Sequence, residues 1–171
     1  MQESGDITFW LPMGTVIFTP IFGWFVDFKG KAASLMILGS IIVIGVHLMF
    51  ALTSINPYPL CFLLGIAFSL VPAAMWPSVA KIVSEKRLGT AYGLMFSLQN
   101  LGLFAVPILA GWIVDITNPV KVAGTPLNYT PAMIGFAGFG MIALVFAFLL
   151  KREDKVSGYN MELPSRVKKA N

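Results

Sequence analysis

The sequence predicts an all-α membrane protein with five transmembrane helices, and three observations predict it. Of its 171 residues 57% are hydrophobic and 12% charged, and the mean hydropathy is +0.79, whereas about a quarter of the residues of a soluble domain are charged. The apolar residues fall into five runs, each long enough to cross a hydrocarbon core of about 30 Å at about 1.5 Å per residue. Those runs are continuously apolar, without the alternation over about ten residues that marks a membrane β-barrel strand.

In order, the runs are Ile7 to Val26, Ser34 to Leu52, Leu60 to Val83, Leu88 to Val114 and Met133 to Leu150. Residues 1–150 are therefore expected to form one transmembrane bundle, with spans at 7–26, 34–52, 60–83, 88–114 and 133–150, followed by a basic tail at 151–171. The first span carries Pro12 and a threonine stripe, Thr8, Thr15 and Thr19; threonine in such a place more often bonds its own helix backbone. The second carries His47, the single histidine, expected to be packed or interfacial rather than a proton carrier. In the third, Pro72 and Pro77 flank Trp76, and each removes a backbone donor, so a bend is expected at the tryptophan. The lone Cys61 excludes an internal disulfide and a cysteine metal cluster. The opening MQESGDIT is acidic and polar, unlike the basic start and short apolar core of a cleavable secretory signal.

Positive charge stays on the cytoplasmic side of short membrane loops. Lys29 and Lys31 follow the first span, Lys81 at the end of the third joins Lys86 and Arg87 between the third and fourth, and Lys151, Arg152, Lys155, Arg166, Lys168 and Lys169 follow the fifth. Of the 12 basic residues only Lys121 falls on the other side. The C-terminus is therefore expected in the cytoplasm, and the pI of 9.3 records topology and requires no nucleic-acid partner. Five spans then place the N-terminus outside, which for an acidic leader without a signal implies a preceding helix. The chain is accordingly read as the C-terminal part of a longer protein. The sequon Asn128-Tyr-Thr130 falls in an outward loop and matters only in a glycosylating compartment.

One phrase occurs twice. GWFVD, Gly23 to Asp27, closes the first span, and GWIVD, Gly111 to Asp115, closes the fourth, with Pro20 and Pro107 just upstream. By the topology above the copies end at opposite faces, so related helices cross in opposite directions. This is the trace of inverted triple-helix repeats, which build a site near the membrane midplane. One triplet is the third to fifth spans; the other is the first two plus a helix before them.

The segment Gly23-Trp-Phe-Val-Asp27-Phe-Lys-Gly30-Lys31 resembles the loop joining the second and third helices of each half in the major facilitator superfamily. That loop reads glycine, three residues, aspartate, a basic residue, any residue, glycine, then basic residues. Gly23, Asp27, Gly30 and Lys31 match, whereas Phe28 and Ala32 replace two basic residues. The stretch VPAAMWPSVAKIVSEKRLGTAYGLMFSLQNLGLFAVPILAGWIVD is similar to the tenth and eleventh helices of that superfamily, most like the branch of lysosomal dipeptide transporters and their bacterial relatives. The resemblance covers nearly the whole chain. It implies helices eight to twelve of a twelve-helix secondary transporter, with seven upstream helices as partners. It further implies alternating access for a small organic solute, dipeptides among them, without cofactor or metal, in a cell membrane or, in a eukaryote, a lysosomal membrane.

On that resemblance Gly23, Asp27, Gly30, Lys31 and Arg87 form a gate. The Asp27 carboxylate is expected to cap the N–H groups that open the fourth helix and to pair with Lys86 or Arg87, near the positive end of the helix dipole. The resemblance implies that this cluster stabilises the outward-facing state; a solvated loop carboxylate is the alternative. Polar groups inside a membrane need partners and so nominate the solute site. Tyr92, Phe96 and Gln99 share a face of the fourth helix by their spacing of four and three. Gln99 is expected to face the cavity, while Asn100, about 100° around the helix, serves solute or a neighbouring helix. Trp76 is expected on the wall opposite Gln99, with Thr19 a lower-ranked lining residue. Plain packing, or an interhelical hydrogen bond of about 0.6 kcal/mol, is the alternative for each.

Two other functions suit a membrane bundle. An intramembrane hydrolase needs an activated nucleophile, and the sequence holds no Gly-x-Ser-x-Gly elbow, no histidine pair for a metal and no evident partner for His47. A noncatalytic membrane scaffold is the other. Transport, without enzymatic activity, is the expectation.

Overall fold

A computed structural model of the protein describes residues 2–120 and 126–164. Its elements are α1 (Gln2–Lys29), α2 (Ala32–Leu52), α3 (Pro57–Ile82), a short 3-10 turn (Glu85–Arg87), α4 (Leu88–Thr117) and α5 (Thr130–Ser157). All five α-helices are long and apolar enough to cross a membrane. The shortest, α2, has 21 residues, about 31 Å at about 1.5 Å per residue. Lys121, Arg166, Lys168 and Lys169, which entered the charge argument, lie outside the described residues, as does the side chain of Thr8.

Local chemistry sets the helix ends. Asn56 caps α3 by accepting from the Tyr58 N–H at 3.0 Å, with Pro57 at the first helical position. α3 then runs as one helix through both Pro72 and Pro77. α1 stops where Gly30 turns left-handed at φ 74°, and α5 stops at Gly158, φ 68°, whose N–H donates to the Asp154 carbonyl at 3.0 Å. The tail expected from residue 151 thus begins as helix, since Lys151, Arg152, Glu153 and Lys155 are good helix formers and the stop is the glycine.

Lipid supplies no hydrophobic drive for helix association, so such bundles are held by close approach at small residues. α1 and α3 run parallel: Trp10 meets Tyr58 and Phe62 edge-on, with ring centroids 6.5 and 6.1 Å apart, and further along Thr15 reaches Gly65. At Gly14 and Gly65 the two backbones touch. A Cβ on Gly65 would lie 2.3 Å from the Leu11 carbonyl oxygen, and one on Gly14 2.8 Å from that of Phe62. The Thr15 hydroxyl sits in the crossing, 3.0 Å from the Leu11 carbonyl oxygen and 3.3 Å from that of Gly65.

α2 packs antiparallel to α5. Ser34 meets Lys151 at one end, a Cβ on Gly140 would come within 2.8 Å of Ile44, and His47 stands edge-on to Phe136 at 5.5 Å. The His47 Nδ1–H donates to the Val43 carbonyl of its own helix at 2.8 Å. Val26, Leu35, Met36, Leu70, Ala74 and Ala147 form the core shared by α1, α2, α3 and α5. α4 stands apart: none of its residues is buried, and it meets α3 and α5 along narrow seams.

The repeated phrases lie at opposite ends of the bundle. GWFVD leads into the Gly30–Lys31 turn, while GWIVD leads to Asn118, which is bonded to Asn128 beyond α4. Trp24 and Trp112 are both exposed.

Gly65→Ala is expected to lower the thermal unfolding temperature in detergent, with a cost of about 1–3 kcal/mol or more because backbone must move. Gly45→Ala, at a site with open space around it, is the matched control and should change little.

Candidate functional site

α3 and α4 meet through three aromatic rings. Trp76 lies 5.4 Å from Tyr92 and 4.7 Å from Phe96 between ring centroids, each pair tilted by 41°. The Tyr92 hydroxyl donates to the Trp76 carbonyl at 3.2 Å, so ring and backbone of one residue are held from the same helix. Tyr92 and Phe96 use the face their spacing predicts, and Trp76 adjoins that face instead of confronting it. Trp76 lies on α3 and Gln99 on α4, and the rings that join the two helices are those of Trp76, Tyr92 and Phe96. Periodicity reports which residues share a helix face, and says nothing of which helix lies beside it.

Gln99 is exposed on α4, free to face a solute or another helix. Asn100 donates from Nδ2 to the Phe96 carbonyl at 2.8 Å, and Thr19 donates to the Thr15 carbonyl at 2.6 Å. Both satisfy their own helix. The threonine that bonds across to another helix is Thr15, which lies beside the glycine crossing.

At the other candidate site, Asp27 is half-buried, next to the fully buried Val26. Arg87 and Lys86 are exposed in the 3-10 turn. Arg87 itself occupies the N-cap position of α4, and its side chain makes no capping bond. The 3-10 turn serves instead: the Arg87 N–H donates to the Ser84 carbonyl at 2.9 Å and the Leu88 N–H to that of Glu85. In this conformation Asp27 does not cap α4. Gly23 has open space around it, while Gly30 is buried and Lys31 follows with a left-handed φ of 61°. What joins the Gly30–Lys31 turn is the segment after α5. The Lys31 N–H donates to the Glu162 carbonyl at 3.0 Å. Sequence reasoning missed Glu162, although a lone acid in an otherwise basic stretch from Lys155 onward was a visible signal.

The outer face of α4 carries an apolar groove of about 680 Å³, with Gly102 in its lining beside Leu98, Ala105, Leu109 and Trp112, and Phe139 of α5 at its edge. A Cβ on Gly102 would meet nothing within 4 Å. Gly102 stands nine residues before Gly111, as Gly14 stands nine before Gly23. The groove thus includes in its lining the repeat counterpart of the glycine at which α1 crosses α3.

A family model described as the Major Facilitator Superfamily matches residues 2–167. The chain belongs to this superfamily. Among relatives within it, the lysosomal dipeptide transporter MFSD1 of Homo sapiens is 44% identical over 148 residues, which cover 86% of this chain and 30% of that protein. The MFSD1 of Danio rerio is 36% identical over 154 residues, 89% of this chain and 31% of the relative, and that of Gallus gallus 42% identical over 114 residues, 67% and 26%. The chain spans under a third of the length of these relatives. As a superfamily member it is a multi-pass membrane protein, and its five all-α spans are those of a major facilitator fragment.

Tyr92→Phe should cost about 0.5–1.5 kcal/mol by removing the bond to the Trp76 carbonyl. A double-mutant cycle of Trp76→Leu with Phe96→Leu, read by thermal unfolding, should give a coupling of about 0.5–1.5 kcal/mol; additivity would mean the rings do not interact.

Proposed function

We propose that this chain is the C-terminal part of an alternating-access transporter for a small organic solute, with dipeptides as the substrate class. The observation that carries the reading is the similarity to MFSD1 proteins across the span that holds the Trp76, Tyr92 and Phe96 wall. Trp76, with Tyr92, Phe96 and Gln99, lines the solute path; Asn100 and Thr19, bonded to their own helices, are secondary candidates. No bond is broken in such a cycle, so recognition and a reversible seal suffice. Gly23, Asp27, Gly30, Lys31 and Arg87 form the cytoplasmic gate, with Asp27 approaching α4 when the gate closes. The end of the bundle that carries Lys31, Lys81 and Lys151 faces the cytoplasm, following the bias of positive charge.

The groove on α4 is the seat of a transmembrane helix from the upstream part of the same polypeptide. Two observations support this occupant. The relatives are more than three times as long as the stretch they share with this chain. The repeat also places Gly102 where Gly14 accepts α3, so the helix equivalent to α3 in the first triplet belongs against Gly102.

Uptake of a labelled dipeptide by the full-length protein in liposomes tests the reading. Trp76→Ala is expected to weaken apparent affinity by about two- to twelvefold, the loss of an aromatic contact of about 0.5–1.5 kcal/mol. Gln99→Ala should shift preference among dipeptides more than overall affinity, and Asp27→Asn should slow exchange while equilibrium binding is retained. Correctly inserted variants at Trp76 and Gln99 with parental affinity and selectivity would make these residues packing alone.

A further inference from the structure

α2 opens without a cap of its own. Its N-cap residue is Lys31, left-handed at φ 61° and ψ 33°, and no side chain from the local sequence bonds the first turn. A lysine side chain has no acceptor to offer, yet a helix start leaves four N–H groups without partners inside the helix. Three of them, those of Lys31, Ala32 and Ser34, are met from 128 or more residues away. The Lys31 N–H donates to the Glu162 carbonyl at 3.0 Å and the Ala32 N–H to the Met161 carbonyl at 3.3 Å. The Ser34 N–H donates to Glu162 Oε1 at 2.9 Å, and the Ser34 hydroxyl to Oε2 at 2.8 Å. Lys151 of α5 in turn donates to the Ser34 oxygen at 2.7 Å. The Glu162 carboxylate thus has a donor on each oxygen and places its charge at the positive end of the α2 dipole.

The segment that carries Glu162 is itself tied to two more helices. Gly158 turns the chain out of α5, and the Met161 N–H donates at 2.9 Å to Oδ1 of Asp154, which is buried in α5. Lys81, at the end of α3, donates to the Asn160 carbonyl at 3.0 Å and the Leu163 carbonyl at 2.7 Å. Met161 has 0% of its surface exposed. The fit to the turn is close. A Cβ on Gly30 would lie 2.5 Å from both the Glu162 carbonyl oxygen and the Leu163 carbonyl carbon, so Gly30 is required for the passage of this segment as well as for its own φ.

We propose that Glu162 is a positioning residue of the gate turn. Residues 158–164 form a strap that caps α2 from outside its own sequence, fixes Gly30 and Lys31, and thereby sets the end of α1 that presents Asp27. The capping role stands on the contacts above; its consequence for transport rests on the gate reading of this turn.

The test uses the purified full-length protein with Cys61→Ser and Met161→Cys, so that one thiol of this chain reports whether the strap is seated. Labelling by a maleimide should be slow, and adding Glu162→Ala or Gly30→Ala should speed it by about tenfold, the scale of a lost cap. Hydrogen exchange at residues 31–34 should rise in parallel, while peptides around Gly14 and Gly65 stay protected. Glu162→Gln, which keeps one acceptor for the Ser34 N–H, should lie between, and it carries the test if the alanine variant fails to insert. Turnover should change at an unchanged apparent KM. Unchanged labelling and exchange in both Glu162→Gln and Gly30→Ala would overturn the strap, whatever transport does. Faster labelling and exchange with parental turnover would confirm the strap and remove the gate assignment from the turn it holds.

Discussion

Backbone contact at Gly14 and Gly65 is the constraint from which the rest of this bundle follows. In lipid an apolar side chain gains little by turning inward, so helices associate where their backbones come close enough for packing and polar contacts to accumulate. The crossing holds α1 parallel to α3, and further along the same pair Val26 and Ala74 are fully buried. α2 joins this pair through another small residue, Gly39, where a Cβ would lie 3.0 Å from Val71. α5 joins through Gly140. The polar residues within the spans follow the same logic. Ser40, Ser69 and Ser78 bond carbonyls of their own helices at 2.9, 2.7 and 2.7 Å, so they let helices approach without leaving a hydroxyl unpaired.

Much of this was legible in the sequence because membrane thickness is an absolute ruler. A run of about 20 apolar residues has one stable arrangement in a bilayer, and the five runs became five helices whose ends differ from the apolar limits mainly where charged helix formers extend them, as at Lys151 to Lys155. The repeated GWFVD and GWIVD gave the inverted relation of the helices through an echo of letters. Neighbourhood was less legible. That Trp76 stacks on Phe96, or that Asn100 turns back to the Phe96 carbonyl, depends on which helix lies beside which. The contact of Glu162 with Ser34 depends on a fold-back between distant points of the chain, which no local pattern encodes. Gly30 was recognised as part of a turn, while its second role, making room for the strap, appears only once the strap is in place.

The two triplets are unequal in a way that the repeat explains. Val26 is fully buried and its counterpart Val114 only half-buried; Asp27 is half-buried and Asp115 exposed. Gly14 meets backbone, and Gly102 meets open space. At the glycines the origin is plain: α1 has α3 against Gly14, and α4 has no equivalent neighbour at Gly102 among the described residues. The central claim is the proposal that this neighbour is a helix from the upstream part of the same polypeptide. Phe104 lines the groove and is well exposed, so Phe104→p-benzoylphenylalanine places a photoreactive group of similar shape there. After irradiation of the full-length protein in membranes, mass spectrometry should find an intramolecular cross-link from residue 104 to a peptide upstream of the first residue of this chain. Cross-links to lipid alone, or between two copies of the protein, would contradict the account.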